Sequence, residues 1–434
     1  MRKKPGLTLI LWKMVVFAKA IRFALALSAV TVCYCLQLSD DCRNFSHKII
    51  NVTDVTLVKR DTVLAPFAIW NLLFTLALAA SGETSRQLLS ALRLSHEKEN
   101  KIIKANKDLN REVIQTGNAG VSYTSGTYIF WDIELQVNAE FKAIINYGLE
   151  IENEVLDFAN STAAVVKANS AIVNSIQNLL RGEDFATSRM IVLSPTVFEG
   201  HWTLPFNAID TTIEPFYSEN GEIIRQVYMM NQRNRFPFTN IRELGAFVLQ
   251  LPYGSNDKYC MLILLPWLGT TVSEVYQNLV SSFTLKEVFY KLNNDTKTYG
   301  LENIDIKIPR FEIITNSDSH RLLNSMGVYD IFDSIAANFS RTTSESIFVS
   351  SIKRSASISV TESGTSASAS ATAMLTDKIV LSTPISGTAL HRTIKSDPVY
   401  SAGFIANRPF IYYVMEKKTT TILFGGAFSE FVVF

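Results

Sequence analysis

One stretch of sequence constrains the fold more than any other. Residues 355–361 read Ser-Ala-Ser-Ile-Ser-Val-Thr, and residues 363–373 read Ser-Gly-Thr-Ser-Ala-Ser-Ala-Ser-Ala-Thr-Ala. The first part alternates with a period of two, so Ala356, Ile358 and Val360 are predicted on one face of a strand and the hydroxyl side chains on the other. The second part consists of small residues that an ordinary globular core would not use.

The run of small residues from Ser363 to Ala373 has two interpretations. Small polar residues commonly form flexible linkers, and composition alone favours that interpretation. However, the run follows a well-patterned strand and contains neither charge nor proline after Glu362. Its side chains could therefore enter a sheet at little steric cost.

Two motifs on either side of this region resemble those of a known family. Glu362-Ser363-Gly364-Thr365, followed by small residues, resembles the proximal hinge of the serpins. Residues 404–410, Phe-Ile-Ala-Asn-Arg-Pro-Phe, resemble the family's Phe-x-Ala-Asp-Arg-Pro-Phe. The resemblance extends over nearly everything after about residue 60, and the apolar segment Ala65–Ala80 is predicted to be a buried helix.

The resemblance implies an α+β serpin fold in a single domain, residues 36–434. That fold has a large central, mostly antiparallel sheet, further sheets, about nine helices and an exposed reactive-centre loop at about residues 363–403. It also implies suicide inhibition, in which a serine protease is acylated by the loop, which then inserts into the central sheet. Thr365 is expected to turn inward first, followed by the small residues after it. The hinge residues implied are Glu362, Gly364, Thr365, Ser366, Ala367, Ser368 and Ala369.

The family's near-constant spacing from the hinge predicts where the loop is cut. Sixteen residues after Glu362 comes Lys378, so the predicted reactive bond is Lys378–Ile379. A lysine here fits a trypsin-like protease with an acidic primary pocket, although a solvated loop lysine is the ordinary alternative. Twenty-five residues then separate Lys378 from Phe404, more than the family's short spacing, and Arg392 and Lys395 offer alternative cleavage sites.

A cluster beneath the sheet opening departs from the family pattern. Where the family has Ser-Pro-x-Ser, this chain has Ala65-Pro66-Phe67-Ala68, and the family's Asn and His correspond to Ser194 and Arg354. Loss of these hydrogen-bonding groups could alter how the sheet opens. The alternative function is therefore a non-inhibitory secreted serpin, acting as a binding or carrier protein or as a substrate-like decoy.

The amino-terminal residues predict secretion. The first 35 residues contain six basic and no acidic side chains, and the apolar run 23–35 is too short to span a bilayer. We therefore expect a signal peptide at 1–35, with an uncleaved anchor as the alternative, and a secreted, extracellular monomer that does not bind membranes after cleavage. Five sequons fit this location, at Asn44, Asn51, Asn160, Asn294 and Asn338.

Charge and cysteine usage restrict the partners. Without its first 35 residues the chain has 35 basic and 40 acidic side chains, which does not indicate a nucleic-acid surface. Cys42 and Cys260 would remain after signal cleavage, and the apolar run around Cys260 predicts a free core thiol rather than a disulfide.

No motif predicts an enzyme. The five histidines show no metal-ligand spacing, and no Gly-x-Ser-x-Gly or phosphate-binding glycine loop occurs. We expect no metal and no cofactor, and a serine protease of trypsin-like specificity as the partner.

Overall fold

The structure of the protein is a computed structural model. It describes residues 37–52, 61–94, 97–114, 119–172, 179–301, 303–376 and 403–429. The predicted signal peptide and the predicted cleavage sites Lys378–Ile379, Arg392 and Lys395 lie outside these ranges.

The described residues form ten α-helices, close to the number expected. The most apolar of them is α2, the predicted buried helix, and all 14 of its side chains are buried. The helix α5 continues directly into a π-helical turn at Ile144–Leu149. The helices are α1 (37–52), α2 (Pro66–Ala79), α3 (Gly82–Ala91), α4 (Glu99–Ile114), α5 (Ala139–Ala143), α6 (Ser161–Ala171), α7 (Gly182–Ala186), α8 (Val272–Ser281), α9 (Leu285–Tyr299) and α10 (His320–Ser325).

A seven-stranded sheet forms the centre of the described structure, and among its described strand pairs only one is parallel. Its strands are β1 (Val121–Ser125), β2 (Tyr128–Asp132), β3 (Glu152–Leu156), β4 (Met190–His201), β11 (Phe311–Asp318), β12 (Phe348–Val360) and β13 (Gly364–Thr376). The order is β11-β12-β13-β4-β2-β3, with β1 paired to the other end of β4, and the parallel pair is β2 with β3. The mostly antiparallel sheet expected from the family is confirmed.

Two smaller sheets complete the fold. A four-stranded sheet has the order β14-β10-β6-β5, and a five-stranded sheet has the order β16-β15-β9-β8-β7. Their strands are β5 (Thr212–Tyr217), β6 (Ile223–Arg235), β7 (Phe238–Ile241), β8 (Ala246–Tyr253), β9 (Tyr259–Pro266), β10 (Asn303–Pro309), β14 (Gly403–Ile405), β15 (Phe410–Glu416) and β16 (Thr421–Phe428).

The main core lies between the sheets. Helix α2 contacts β16 on one side and β4 and β13 on the other, so it supports the centre of the large sheet from below. Cys42 and Cys260 are free and buried in this core, as the apolar run predicted for Cys260. A separate apolar cluster on the opposite face of the sheet joins β2 and β4 to α6 and α7. Within the described ranges no helix is both long enough and apolar enough to cross a membrane.

One strand of this sheet belongs to the predicted reactive-centre loop. Residues 364–376, expected in an exposed loop, form the central strand β13. The physical reason is that β12 and β4 each present a row of backbone groups to this position, and the small side chains of residues 364–371 fill it without a clash. The structure therefore has the inserted form of the loop.

Candidate functional site

The strand β13 is hydrogen-bonded on both sides along almost its whole length. Twelve of its residues are in register with β12, from Thr365 opposite Val360 to Thr376 opposite Phe348. Twelve are in register with β4, from Gly364 opposite His201 to Leu375 opposite Met190. Both ladders are antiparallel, so this strand closes the centre of the sheet. Without it the ladder groups of β12 and β4 would face a gap.

The alternation of small residues decides which side chains face the core. Ala367, Ala369 and Ala371 are buried above α2, while Ser366 is exposed on the outer face. On β12 the predicted faces are confirmed, because Ala356, Ile358 and Val360 are buried on the core side. An alanine occupies the narrow space between sheet and helix, and a larger side chain there would overpack it.

Gly364 begins the strand at a point where no side chain fits. A Cβ atom at this position would lie 2.1 Å from the carbonyl oxygen of Gly200 on β4. That oxygen belongs to the backbone of a central strand and cannot move aside without breaking the ladder. The glycine of the hinge motif is therefore required by close approach of two backbones.

Thr365 is the first inserted side chain, and it is received by two stacked aromatic rings. It is 4% exposed, and its Oγ1 accepts a 2.6 Å hydrogen bond from the Tyr253 hydroxyl. The Tyr253 ring stacks on Trp202 with 4.5 Å between centroids. Burial raises the pKa of the Tyr253 phenol well above its usual value, and the hydrogen bond to Thr365 opposes this in part. The phenol therefore stays protonated and remains a donor.

The turn before the strand is held by contacts to Glu362. Its carboxylate accepts a hydrogen bond of 2.9 Å from Thr211 Oγ1 and lies 3.9 Å from the guanidinium of Arg310. Its backbone carbonyl accepts from the Phe206 amide at 2.9 Å. Trp202 Nε1 donates to the carbonyl of Thr361 at 2.9 Å. The acidic residue of the hinge motif thus anchors the turn from which the strand enters.

The departures from the family pattern meet beneath the middle of β13. Arg354 on β12 and Ser194 on β4 are both opposite Ala371, one on each side of the inserted strand. Arg354 is 8% exposed, and together with Ala65 and Ala68 it lines a cavity of about 10 Å³. Ser194 Oγ donates to the carbonyl of Gly126 at 3.2 Å.

The motif after the loop lies at the boundary of the two smaller sheets. β14 pairs in parallel with β10, and Phe404 and Ala406 are buried. Arg408 donates from Nε and Nη2 to the carbonyl of Pro266 at 3.1 and 2.7 Å, and burial lowers its pKa to about 10. This segment is therefore fixed in the core, which anchors the far end of the loop.

The structure places the predicted glycosylation sites in two environments. Asn160, Asn294 and Asn338 are exposed, whereas Asn44 and Asn51 are half-buried on α1. Asn160 caps α6, and its side chain accepts from the Ala163 amide. A glycan on the three exposed asparagines would meet solvent rather than core.

Sequence reasoning missed the residues that receive the hinge. Tyr253, Thr211 and Arg310 come from three separate segments, and only the fold brings them to Thr365 and Glu362. The stacking of Trp202 on Tyr253 likewise has no local sequence signal. The one available signal was that Tyr253 ends a strand in which Gln250 is the only other polar side chain.

Comparison with known proteins decides the family. The family model described as serpin (serine protease inhibitor) matches residues 41–431. The chain belongs to the serpin family. The serpin is 25% identical over 423 residues to serine protease inhibitor 88Ea of Drosophila melanogaster, covering 91% of each chain. It is 28% identical to the leukocyte elastase inhibitor of Sus scrofa, covering 85% of this chain and 92% of that one.

A solved structure agrees with the fold of this serpin. Cleaved Serpin 42Da superposes with a TM-score of 0.75 at 22% identity, covering 91% of this chain and 98% of that one. At this identity the likeness shows the fold alone. That structure is of a cleaved serpin.

Proposed function

We propose that this serpin inhibits a trypsin-like serine protease by suicide loop insertion, with cleavage at Lys378–Ile379. The protease serine attacks the carbonyl carbon of Lys378, the peptide bond to Ile379 breaks, and the acyl-enzyme is carried along as the freed strand inserts. Before cleavage residues 364–376 lie outside the sheet, and afterwards they occupy the position of β13. The observation that carries the proposal is the complete double ladder formed by this strand.

The length of the ladder supports the predicted bond. Leu375 pairs with Met190, the first residue of β4, and Thr376 pairs with Phe348, the first residue of β12. Among the described residues, both partner strands thus begin opposite the end of β13, two residues before Lys378. A strand released by a cut after Lys378 uses the available ladder and leaves only a short tail to the protease.

The same argument disfavours the alternative sites. Cleavage after Arg392 would leave 14 more residues on the strand than cleavage after Lys378, about 46 Å of extended chain. The described parts of β12 and β4 extend no further than the point that Thr376 already reaches. The extra chain therefore has no described strand to pair with in the sheet. The protease would stay far from the fold and could complete hydrolysis.

Paired substitutions test the predicted bond. We expect Lys378→Ala to reduce the rate of trapping by trypsin by at least about a hundredfold, because the primary pocket loses its cation. Arg392→Ala, which removes an equal charge from the same segment, should leave trapping unchanged. The measurement is the second-order rate of complex formation, and a larger loss in Arg392→Ala would reject the assignment.

One observation favours the non-inhibitory alternative. In the inserted form Arg354 is buried and lines one cavity with the apolar side chains of Ala65 and Ala68. Burying a guanidinium costs free energy, and slow insertion would let the acyl-enzyme hydrolyse. The protein would then act as a substrate-like decoy or as a carrier. Complete cleavage at Lys378 without a stable complex would favour this function.

We also propose that the protein is secreted, a proposal that the sequence of residues 1–35 supports. Expressed from its full gene in a eukaryotic secretory host, the protein should be recovered from the medium with an amino terminus near Leu36. Enzymatic removal of N-linked glycans should lower its mass, and the exposed Asn160, Asn294 and Asn338 are the expected carriers. Retention in the membrane fraction with residues 1–35 intact would instead indicate an anchor.

A further inference from the structure

The middle of β13 repeats itself every two residues. Its outer face has serine at 366, 368 and 370, and its core face has alanine at 367, 369 and 371. The neighbouring strand β12 has the same outer pattern, so that every one of these serines is opposite another serine. The pairs are Ser359 with Ser366, Ser357 with Ser368 and Ser355 with Ser370. The central pair lies close enough for a hydrogen bond, with 2.9 Å between hydroxyl oxygens.

This repetition means that the middle of the ladder cannot select one register. A slip of two residues keeps every side chain on its own face, because strand periodicity is two. In this repeat it again sets two of the three serines opposite a serine, with the third opposite Lys353 or Thr361, and it leaves alanine above α2. Even Arg354, which is now opposite Ala371, would be opposite an alanine, Ala369 or Ala373, after either slip. The register must therefore be fixed at the hinge end, where the turn 361–364 joins β12 to β13 and the Thr361 amide donates to the Gly364 carbonyl at 2.9 Å.

The hinge end of the strand differs from the repeat. Only glycine fits at position 364, where a Cβ would lie 2.1 Å from the Gly200 carbonyl oxygen. A slip of two residues would bring either Glu362 or Ser366 to this position, and both have a Cβ. The same slip would also separate Thr365 from the Tyr253 hydroxyl, which lies 2.6 Å from it in the observed register.

We propose that Gly364 and Tyr253 set the register of insertion, Gly364 by close approach to Gly200 and Tyr253 as a positioning residue for Thr365. The inference rests on the proposed loop-insertion function. Register determines function here because each two-residue slip moves the carboxyl end of the strand by about 6.6 Å. A slipped strand would leave the acylated protease at the wrong distance from the edge of the sheet.

Cysteine pairs across the ladder can report the register. Ser357→Cys combined with Ser368→Cys joins residues that are directly opposite, whereas Ser357→Cys combined with Ser366→Cys or Ser370→Cys joins diagonal neighbours. Directly opposite positions meet disulfide geometry and diagonal ones do not. The native Cys42 and Cys260 are buried and should not compete. After a single cut at Lys378, we expect the 357/368 pair to oxidise at least tenfold faster than either diagonal pair.

The three pairs are then compared with and without substitutions at the hinge. Gly364→Ala, and separately Tyr253→Phe, should raise the rate of a diagonal pair at least tenfold relative to the 357/368 pair. Ser363→Ala, whose exposed side chain lies beside the same turn, is the control and should leave the 357/368 preference unchanged.

Each outcome decides the inference. An unchanged preference for 357/368 in both hinge variants would overturn the inference. Loss of all three crosslinks in the hinge variants would also overturn it, because Gly364 would then control entry of the strand instead of its register. If the unsubstituted hinge also gives no 357/368 crosslink after cutting, insertion itself fails. That result would reject the proposed function and the inference together.

Discussion

Replacing Thr365 by arginine is expected to convert the inhibitor into a substrate. In the inserted strand this side chain is buried and its Oγ1 lies 2.6 Å from the Tyr253 hydroxyl, so an arginine would be placed in the core without a countercharge among the contacts of Thr365. A penalty of about 3 kcal/mol for burying the charge slows insertion about a hundredfold. Nearly every encounter with the protease should then end in hydrolysis of the acyl-enzyme.

The adjacent residue provides a matched control. Ser366 follows Thr365 in the same strand but is exposed on the outer face of the sheet. Ser366→Arg introduces the same charge and length one position along, where the guanidinium can remain in water. The ratio of complex to cleaved protein, measured by denaturing electrophoresis after reaction with trypsin, should fall sharply for Thr365→Arg only. Equal trapping by both variants would show that insertion past Thr365 is not part of the mechanism.

A single cut in the loop is expected to raise the melting temperature by more than about 10 °C. Insertion adds hydrogen bonds on both sides of a strand of 13 residues. Ten additional hydrogen bonds at about 1 kcal/mol each, with about 1–2 °C for each kcal/mol in a chain of this length, already account for the increase. Burial of the alanine side chains adds to it.

The same two variants test the cause of the stabilisation. After the single cut, the Ser366→Arg variant should melt at the raised temperature. The cut Thr365→Arg variant should keep a melting temperature near that of the uncut protein. The comparison is made by calorimetry on samples in which electrophoresis confirms one cut. An unchanged melting temperature in the cut parent would mean that the strand either enters before cleavage or never enters, and both possibilities contradict the proposed mechanism.

Local pattern was sufficient to predict much of the fold. The alternation at 355–361 predicted a strand with Ala356, Ile358 and Val360 on its buried face, and the apolar segment 65–80 predicted the buried helix α2. These two predictions are confirmed because each depends only on the spacing of side chains within one element. The overall architecture followed from the resemblance of the hinge and the 404–410 segment to one family.

The state of the loop could not be predicted in the same way. The run 363–373 has side chains small enough for both an exposed loop and a buried strand, so its sequence is compatible with both. Its position in the structure depends on β12 and β4, which leave space for it. The receiving side chains Thr211, Tyr253 and Arg310 lie far from the hinge in sequence, and no local pattern connects them to Glu362 and Thr365.

The measurement that tests the central claim most directly is a reaction of the intact protein with an equimolar amount of trypsin. The account predicts a covalent complex that survives boiling in detergent, together with a released carboxyl-terminal fragment whose first residue is Ile379. A stable complex that releases a fragment beginning at Thr393 would contradict the assigned bond. Complete cleavage with no complex would contradict inhibition by loop insertion.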